Sequence, residues 1–351
     1  MFEVLLIFME QIEEVAIVGG GPAGAYCAFE LAKKGIYATI FDDSHPREKP
    51  CGGGISPFVI KKFPFVEQFH SKGNISAGFK IISPKNREVV AKEEGFNVSR
   101  RYFDEGILKM ATENRAKLIR ERVTDVKKKQ NFWEIKTNRR IVSTKILVGA
   151  DGVSSLVRRK TIGPIPRENL GLGYGYFATG VEREYTTIKF LDEIPGYIWI
   201  FPRDNHSSIG IGSELGYGNR LKKLLDDFIR AYCPQIRVIS RFAAMLPLAK
   251  NPDFFMLPCA GADWVLVGDA AGHVDPITGE GILYALWSGK LAAEVIKRNE
   301  LKSYDRLWRE EYGNSLRENC ARRDMFYNPL MIELRLFWLL ETRLILGCYT
   351  K

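Results

Sequence analysis

The chain has 351 residues, 46% of them hydrophobic and 12% aromatic, enough to build one large domain or two interleaved ones and too much for a disordered segment. Its formal charge of +9 comes largely from clusters such as Arg100-Arg101, Lys127-Lys128-Lys129, Arg139-Arg140 and Arg158-Arg159-Lys160. These read as solvated faces, or as attraction toward an anionic lipid surface or a diphosphate group. Zinc-type spacings and nucleic-acid modules are not found, so neither a metal site nor a nucleic-acid partner is expected. Six scattered cysteines (Cys27, Cys51, Cys233, Cys259, Cys320, Cys348) with no secretory signal before them point to a reduced, cytoplasmic protein.

In chain order, Phe2 to Met9 is apolar but too short to span a bilayer, and either Met1 or Met9 can be the natural start. Val15 to Val18 reads as a strand, followed by Gly19-Gly20-Gly21-Pro22-Ala23-Gly24 and a helix from about Pro22 to Lys34. In this pattern Gly19 allows the tight turn, Gly21 lets the backbone approach a pyrophosphate, and Gly24 lets helix and strand pack closely. The helix start then offers free N–H groups and the positive end of its dipole to an anion. Asp42 closes the next strand, Tyr37 to Phe41, where a carboxylate can hold a ribose hydroxyl.

Further along, Ile75 to Val90 reads as strands with a turn at Pro84-Lys85-Asn86, and Asp104 to Lys117 as a helix with an apolar stripe. Arg120 to Ile135 alternates like strands, and Ile146 to Val148 is a short buried strand ending in Gly149-Ala150-Asp151-Gly152. Gly171 to Met245 is β-rich, with one helix that Asn219 can cap. Its Gly171-x-Gly173-x-Gly175 and Gly210-x-Gly212 are better explained by turns or bulges than by nucleotide binding.

Trp264 to Val267 is again a buried strand, leading through Gly268-Asp269 to a long helix from about Gly281. A carboxylate there can bond a polyol such as ribityl, and the helix start can favour negative charge on a reduced flavin. A ligand touched by both ends of the chain must be long, and FAD fits best. In the last thirty residues Leu330, Met331, Leu334, Phe337, Trp338, Leu340 and Leu344 recur at helical spacing. This reads as a helix packed on the core, a wall of a lipid channel, or an interfacial membrane contact. Glu333, Arg335, Glu341 and Arg343 exclude a transmembrane span.

Two further segments carry chemistry. In Pro195-Gly196-Tyr197-Ile198-Trp199-Ile200-Phe201-Pro202 the three rings project to one face of a strand and the isoleucines to the other, giving a rigid apolar wall with two polar handles. In Lys49-Pro50-Cys51-Gly52-Gly53-Gly54 three glycines leave the loop open to a flat ligand, and a nearby Lys49 can lower the pKa of the Cys51 thiol. An isolated cysteine is otherwise a small buried hydrophobe.

Together these residues resemble the flavoprotein group that includes p-hydroxybenzoate hydroxylase and, within it, the geranylgeranyl reductase family. The resemblance covers about residues 10 to 300, on the glycine turn, Arg100 with Phe103-Asp104, Gly149-Ala150-Asp151-Gly152, and Gly268-Asp269 continuing to Pro276, Gly279, Glu280 and Gly281. The aromatic segment matches the family's Pro-x-x-Tyr-x-Trp-x-Phe-Pro motif with one residue fewer after the first proline. The resemblance implies an α/β fold: a Rossmann-type FAD domain (10–70, 91–165 and 255–315) interrupted by a β-sheet-based α+β substrate domain (71–90 and 166–254), then a C-terminal helical segment (316–351).

It further implies Arg100 near the FAD phosphates, Asp269 on the ribitol, and Asp151-Gly152 close to the cofactor. Cys51, Gly52, Gly53, Gly279, Gly281 and Ile282 would lie about the flavin. Gly54, Tyr197, Trp199, Phe201 and Pro276 would contact substrate. The implied activity is saturation of isoprenoid C=C bonds by hydride from reduced FAD. Cys51 or an ordered water would be the proton source ahead of Tyr197, with Trp199 holding the alkene. Electrons would come transiently from NAD(P)H, a deazaflavin or a ferredoxin, and a peripheral contact with the cytoplasmic membrane face is compatible. An FAD monooxygenase and a non-catalytic prenyl-lipid carrier are the alternatives. The shared motifs are specific for FAD and less so for a reaction.

Overall fold

The computed structural model describes residues 12–92 and 95–337. The opening apolar stretch, and the expected helical positions from Trp338 onward, lie outside these residues.

A seven-stranded sheet forms the nucleotide half. Its order runs Lys117–Ile119, Thr39–Phe41, Glu13–Val18, Ile141–Gly149, Trp133–Thr137, Val123–Lys128, with Trp264–Leu266 on the free half of Ile141–Gly149. Glu13–Val18 runs parallel to both neighbours, and Val18 lies in register with Phe41 and Gly149. Gly149 pairs in turn with Leu266. The carboxyl ends of these strands therefore share one edge, where open α/β sheets bind ligands. Val15, Ala16 and Ile17 are fully buried, as a strand covered on both faces requires.

Helix Pro22–Lys33 lies between Arg100–Glu113 and Ile282–Arg298. A Cβ on Gly289 would come within 2.5 Å of the Ala23 carbonyl, so the crossing depends on that glycine. The helix expected from Asp104 starts at Arg100 because extended Ser99 ends the preceding strand and its carbonyl accepts from the Tyr102 and Phe103 N–H groups.

The second seven-stranded sheet has the order Arg237–Pro247, Leu170–Thr179, Ser207–Glu214, Gly196–Pro202, Thr186–Phe190, Phe79–Ile82, Glu88–Ala91. It is antiparallel except between Thr186–Phe190 and Phe79–Ile82. One face carries helix Gly218–Tyr232, whose Leu221 and Leu225 join a core with Ile198, Ile200, Ile209 and Ile211. Asn219 is not the cap of that helix: it lies inside the first turn, after an N-cap at Tyr217 that makes no side-chain bond. A three-stranded sheet, Gly54–Ile55, Gly95–Val98 and Gly73–Ser76, joins the two halves. Residues 71–90 are thus divided between the small sheet and the second large one.

Residues 329–337 are helical. Ile332 and Leu336 pack on Val89 beside Ile81 and Phe190, while Leu330 (64% exposed), Leu334 (53%) and Phe337 (49%) face outward. Among the described residues no helix is long and apolar enough to cross a membrane.

A candidate active site where the two sheets meet

The glycine turn has the geometry of a phosphate cradle. Gly19 has φ +103°, and a Cβ there would overlap the Ala150 carbonyl; one on Gly24 would overlap the carbonyl of Gly19. At Gly21 a Cβ would meet nothing within 4 Å, and the helix that follows it has no side-chain cap, with Pro22 at its first position. Its N–H groups and dipole therefore face open space suited to an anion. The distant Gly268 comes to the same place: a Cβ on it would lie 2.9 Å from that of Ala23, and its N–H donates to Ser288 Oγ at 2.9 Å. The two glycine segments, distant in sequence, converge, and the residues present fit a long dinucleotide such as FAD.

Several carboxylates expected at this cradle already have partners. Asp42 Oδ2 accepts from the Gly20 N–H at 2.7 Å, while Oδ1 accepts from the Ser44 N–H and hydroxyl and meets His45 Nδ1 at 2.9 Å. A carboxylate has about four acceptor directions, so one on Oδ2 still suits a ribose hydroxyl. Asp151 turns back on its own segment, accepting from the Leu156 and Val157 N–H groups and from Ser155 Oγ, with only its backbone near Gly19. Asp269 pairs with Lys49 at 3.1 Å, so the Lys49 ammonium expected to act on the Cys51 thiol is committed to that carboxylate. Glu280 Oε1 accepts from the Leu283 N–H at 3.0 Å, placing a carboxylate at the head of helix Ile282–Arg298; burial raises its pKa.

Beside the cradle, loop 45–54 is held by buried ions. Arg100 closes bidentately on Asp104, at 2.6 and 2.9 Å, and also reaches the side chain of Cys51. The expectation that Arg100 serves cofactor phosphates therefore meets a fork already committed to Asp104, as a buried cation requires. Arg158, from another of the basic clusters, is also buried, donating to the Ala270 carbonyl at 3.2 Å; for these two the solvated-face reading does not hold. His45 lies between Asp42 and Asp104, its Nε2 3.5 Å from Asp104 Oδ2 and off the hydrogen-bonding line. Its burial opposes the charge, but the two flanking carboxylates, Asp104 and Asp42, prevail and raise its pKa to about 9.

The third element is the aromatic strand. Tyr197, Trp199 and Phe201 project away from helix Gly218–Tyr232, toward the loop and the 275–281 turn. A Cβ on Gly52 would lie 2.5 Å from the Phe201 ring, so the ring rests on the glycine loop. The Tyr197 hydroxyl donates to the Thr278 carbonyl and stands beside Gly279; burial holds its pKa well above the usual phenol range. Pro276, on the same turn, accepts from Arg323 Nε at 3.0 Å. Trp199 Nε1 donates to Ser208 Oγ at 3.0 Å, and its ring lies over Gly210, with Gly173 and Gly212 at its rim. These glycines are not turns or bulges: Gly173 pairs with Gly212, and Gly175 with Gly210, in unbroken register. They make room for the indole and for the stacked Phe242, whose centroid lies 6.4 Å away.

The structure thus brings together Cys51, Gly52, Gly54, Tyr197, Trp199, Phe201 and Gly279. Among the residues sequence reasoning missed, Arg203 donates to the carbonyls of Cys51 and Gly52, Glu48 pairs with Arg203, and Ser208 links Trp199 to the Cys51 carbonyl. Their available signal was position: Arg203 follows the aromatic motif directly, and Glu48 directly precedes the Lys49–Gly54 segment.

Comparison with known proteins gives a consistent picture. Residues 170–246, which contain the aromatic strand and the glycine trough, match the geranylgeranyl reductase catalytic domain. Residues 17–65 match an NAD(P)-binding Rossmann-like domain. An uncharacterized protein of Methanosarcina barkeri is 31% identical over 302 residues, covering 81% of this chain and 74% of the relative. Digeranylgeranylglycerophospholipid reductase 1 of Methanococcoides burtonii is 27% identical over 356 residues, covering 91% and 85%. The fold is shared with a geranylgeranyl bacteriochlorophyll reductase-like protein of Thermoplasma acidophilum (TM-score 0.82, 24% identity, 92% and 90% covered). It is also shared with the flavin-dependent brominase Bmp2 (TM-score 0.72, 23% identity, 87% and 84% covered).

Proposed function

This chain belongs to the geranylgeranyl reductase family, and we propose that it is an FAD-dependent enzyme that saturates C=C bonds in the isoprenoid chains of a prenyl lipid or prenyl diphosphate. The observation that carries this reading is the seating of Phe201 on Gly52, which sets the side of the strand that carries Tyr197, Trp199 and Phe201 against the glycine loop.

Gly19, Gly21, Pro22, Ala23 and Gly24 hold the pyrophosphate, Asp42 the adenosine ribose, and Asp269 the ribityl chain. Arg100, Asp151 and Gly152 support this cradle from behind, with Gly268, Gly279, Gly281 and Ile282 along the ring edge. When bound and reduced, FAD supplies a hydride to one alkene carbon and is itself oxidised. The chain's residues do the rest. Tyr197, Trp199 and Phe201, with Gly54 and Pro276 at the borders, hold the alkene flat and exclude water, which an unactivated double bond requires. The S–H bond of Cys51 breaks as its proton passes to the second carbon, and the sulfur left behind is met by the Gly53 N–H at 3.3 Å and by Arg100. Tyr197, whose proton is committed to Thr278, orients rather than protonates.

Electrons arrive from a transient donor, NAD(P)H, a deazaflavin or a ferredoxin, and stopped-flow reduction by each identifies it. The exposed Leu330, Leu334 and Phe337 on an overall basic chain suit a peripheral contact with an anionic membrane holding a lipid substrate. The test of function is direct. Dithionite-reduced holoenzyme incubated without oxygen should add two hydrogens per C=C to geranylgeranyl diphosphate or to a geranylgeranylated ether phospholipid, read by mass spectrometry. No gain on either, with substrate-dependent oxygen uptake in air, indicates a monooxygenase instead.

A further inference from the structure

We infer that Arg203 is a positioning residue for Cys51, locking the peptide planes of the 51–53 loop to the aromatic strand so that the thiol stands at a fixed place against the substrate wall. The inference rests on the reading of Cys51 as the proton source.

Arg203 follows Pro202, where the aromatic strand ends, and its side chain is fully buried. Nη2 donates to the Cys51 carbonyl at 2.6 Å and to the Gly52 carbonyl at 3.1 Å, and Nε to the Gly52 carbonyl at 3.2 Å. Nη1 donates to Glu48 Oε1 at 2.5 Å and lies 3.3 Å from His206 Nε2, while the plane stands over the Phe177 ring. Ser208 Oγ adds a second donor to the Cys51 carbonyl, at 2.8 Å.

The consequence follows from peptide planarity. In a trans peptide the C=O and the next N–H point in opposite directions. Holding the Gly52 carbonyl toward Arg203 therefore aims the Gly53 N–H away from it, and that N–H reaches Cys51 Sγ. The same guanidinium belongs to the strand segment that carries Trp199 and Phe201, so thiol and aromatic wall share one rigid reference. A lysine cannot reproduce this, because an ammonium lacks the planar fork that spans two carbonyls and a carboxylate.

The test uses the FAD-loaded full chain carrying Arg203→Lys or Arg203→Gln, alone and with Cys51→Ala. Iodoacetamide alkylation of Cys51, followed by peptide mapping without substrate, should change in rate about fivefold or more. Alkene saturation should lose about 10- to 100-fold in kcat with little change in KM, the signature of misplaced reacting groups. In the Cys51→Ala background, Arg203→Lys should cost no further kcat. Ser208→Ala, which removes one donor, should shift alkylation in the same direction by less, and decides the matter if the arginine variants do not fold. Unchanged alkylation in both sets, or an Arg203→Lys loss that persists in full without Cys51, overturns the inference. If the wild-type protein saturates no alkene, the proposed function falls while alkylation still reports on Arg203.

Discussion

On one side of the candidate site, loop 45–54 is fastened by alternating charges, Asp42, His45, Asp104 and Arg100, with Glu48 and Arg203 alongside. On the other, Trp199 is seated in the gap that glycines leave in a regular sheet, Phe201 rests on Gly52 and Gly54, and Tyr197 stands beside Gly279, with almost no charge. The first wall tolerates little loss of a partner, since a buried ion left alone cannot be resolvated. The second tolerates little added volume, since each ring already occupies its gap. The pairing suits the proposed chemistry: the polar wall fixes a thiol and a charged cofactor, and the apolar wall shelters a hydrocarbon.

The largest effect should come from breaking the charged wall. Asp104→Asn leaves Arg100 buried without its carboxylate and should cost about 3–5 kcal/mol in urea unfolding. Replacing both partners, Arg100→Met with Asp104→Leu, should cost less than either change alone; simple additivity would show that the pair is not the organising contact.

Next comes pH. The His45 pKa is raised to about 9, so its contribution is complete below its unfolded value near 6.5 and is lost as pH rises through about 9. The loss should be on the order of 3 kcal/mol and should disappear in His45→Asn. His273 behaves oppositely. Burial, with repulsion from Arg158 and Arg309, lowers its pKa to about 3, so it is held neutral beside Tyr312 and its contribution fades as pH falls below about 6.5. Thermal melts across pH for His45→Asn and for His273→Asn separate the alkaline limb from the acid one.

The smallest effects sharpen the packed wall. Gly210→Ala overlaps the Trp199 indole and should cost about 1–3 kcal/mol with a shift in tryptophan fluorescence. Gly212→Ala, whose Cβ meets only the indole rim at 3.5 Å, should be nearly neutral. Equal losses would mean that the trough does not seat the ring.

Much of this was legible in the sequence because it rests on local rules. The glycine turn, the strand-to-helix passage at Gly268-Asp269, and the alternation of rings and isoleucines all declare their geometry over a few residues. What stayed hidden depends on long-range partners. Arg203, Glu48 and His45 look like ordinary loop charges until the fold closes around them, and Arg100 and Arg158 sit in clusters that resemble solvated faces. Gly173 and Gly212 follow the same period-two spacing whether they bend a strand or make room above it, and only Trp199 on the neighbouring strand decides between these. Asn219 is a good cap by type, but the chain enters its helix one residue earlier, at Gly218.

The central claim is that the alkene is held between the flavin and the aromatic strand with Cys51 at its edge. A structure of the FAD-loaded protein with a bound prenyl lipid tests it most directly. The account predicts a chain lying along Tyr197, Trp199 and Phe201, with a double bond between the flavin ring and the Cys51 sulfur. A chain seated elsewhere, or a flavin whose ring does not face that strand, would contradict it.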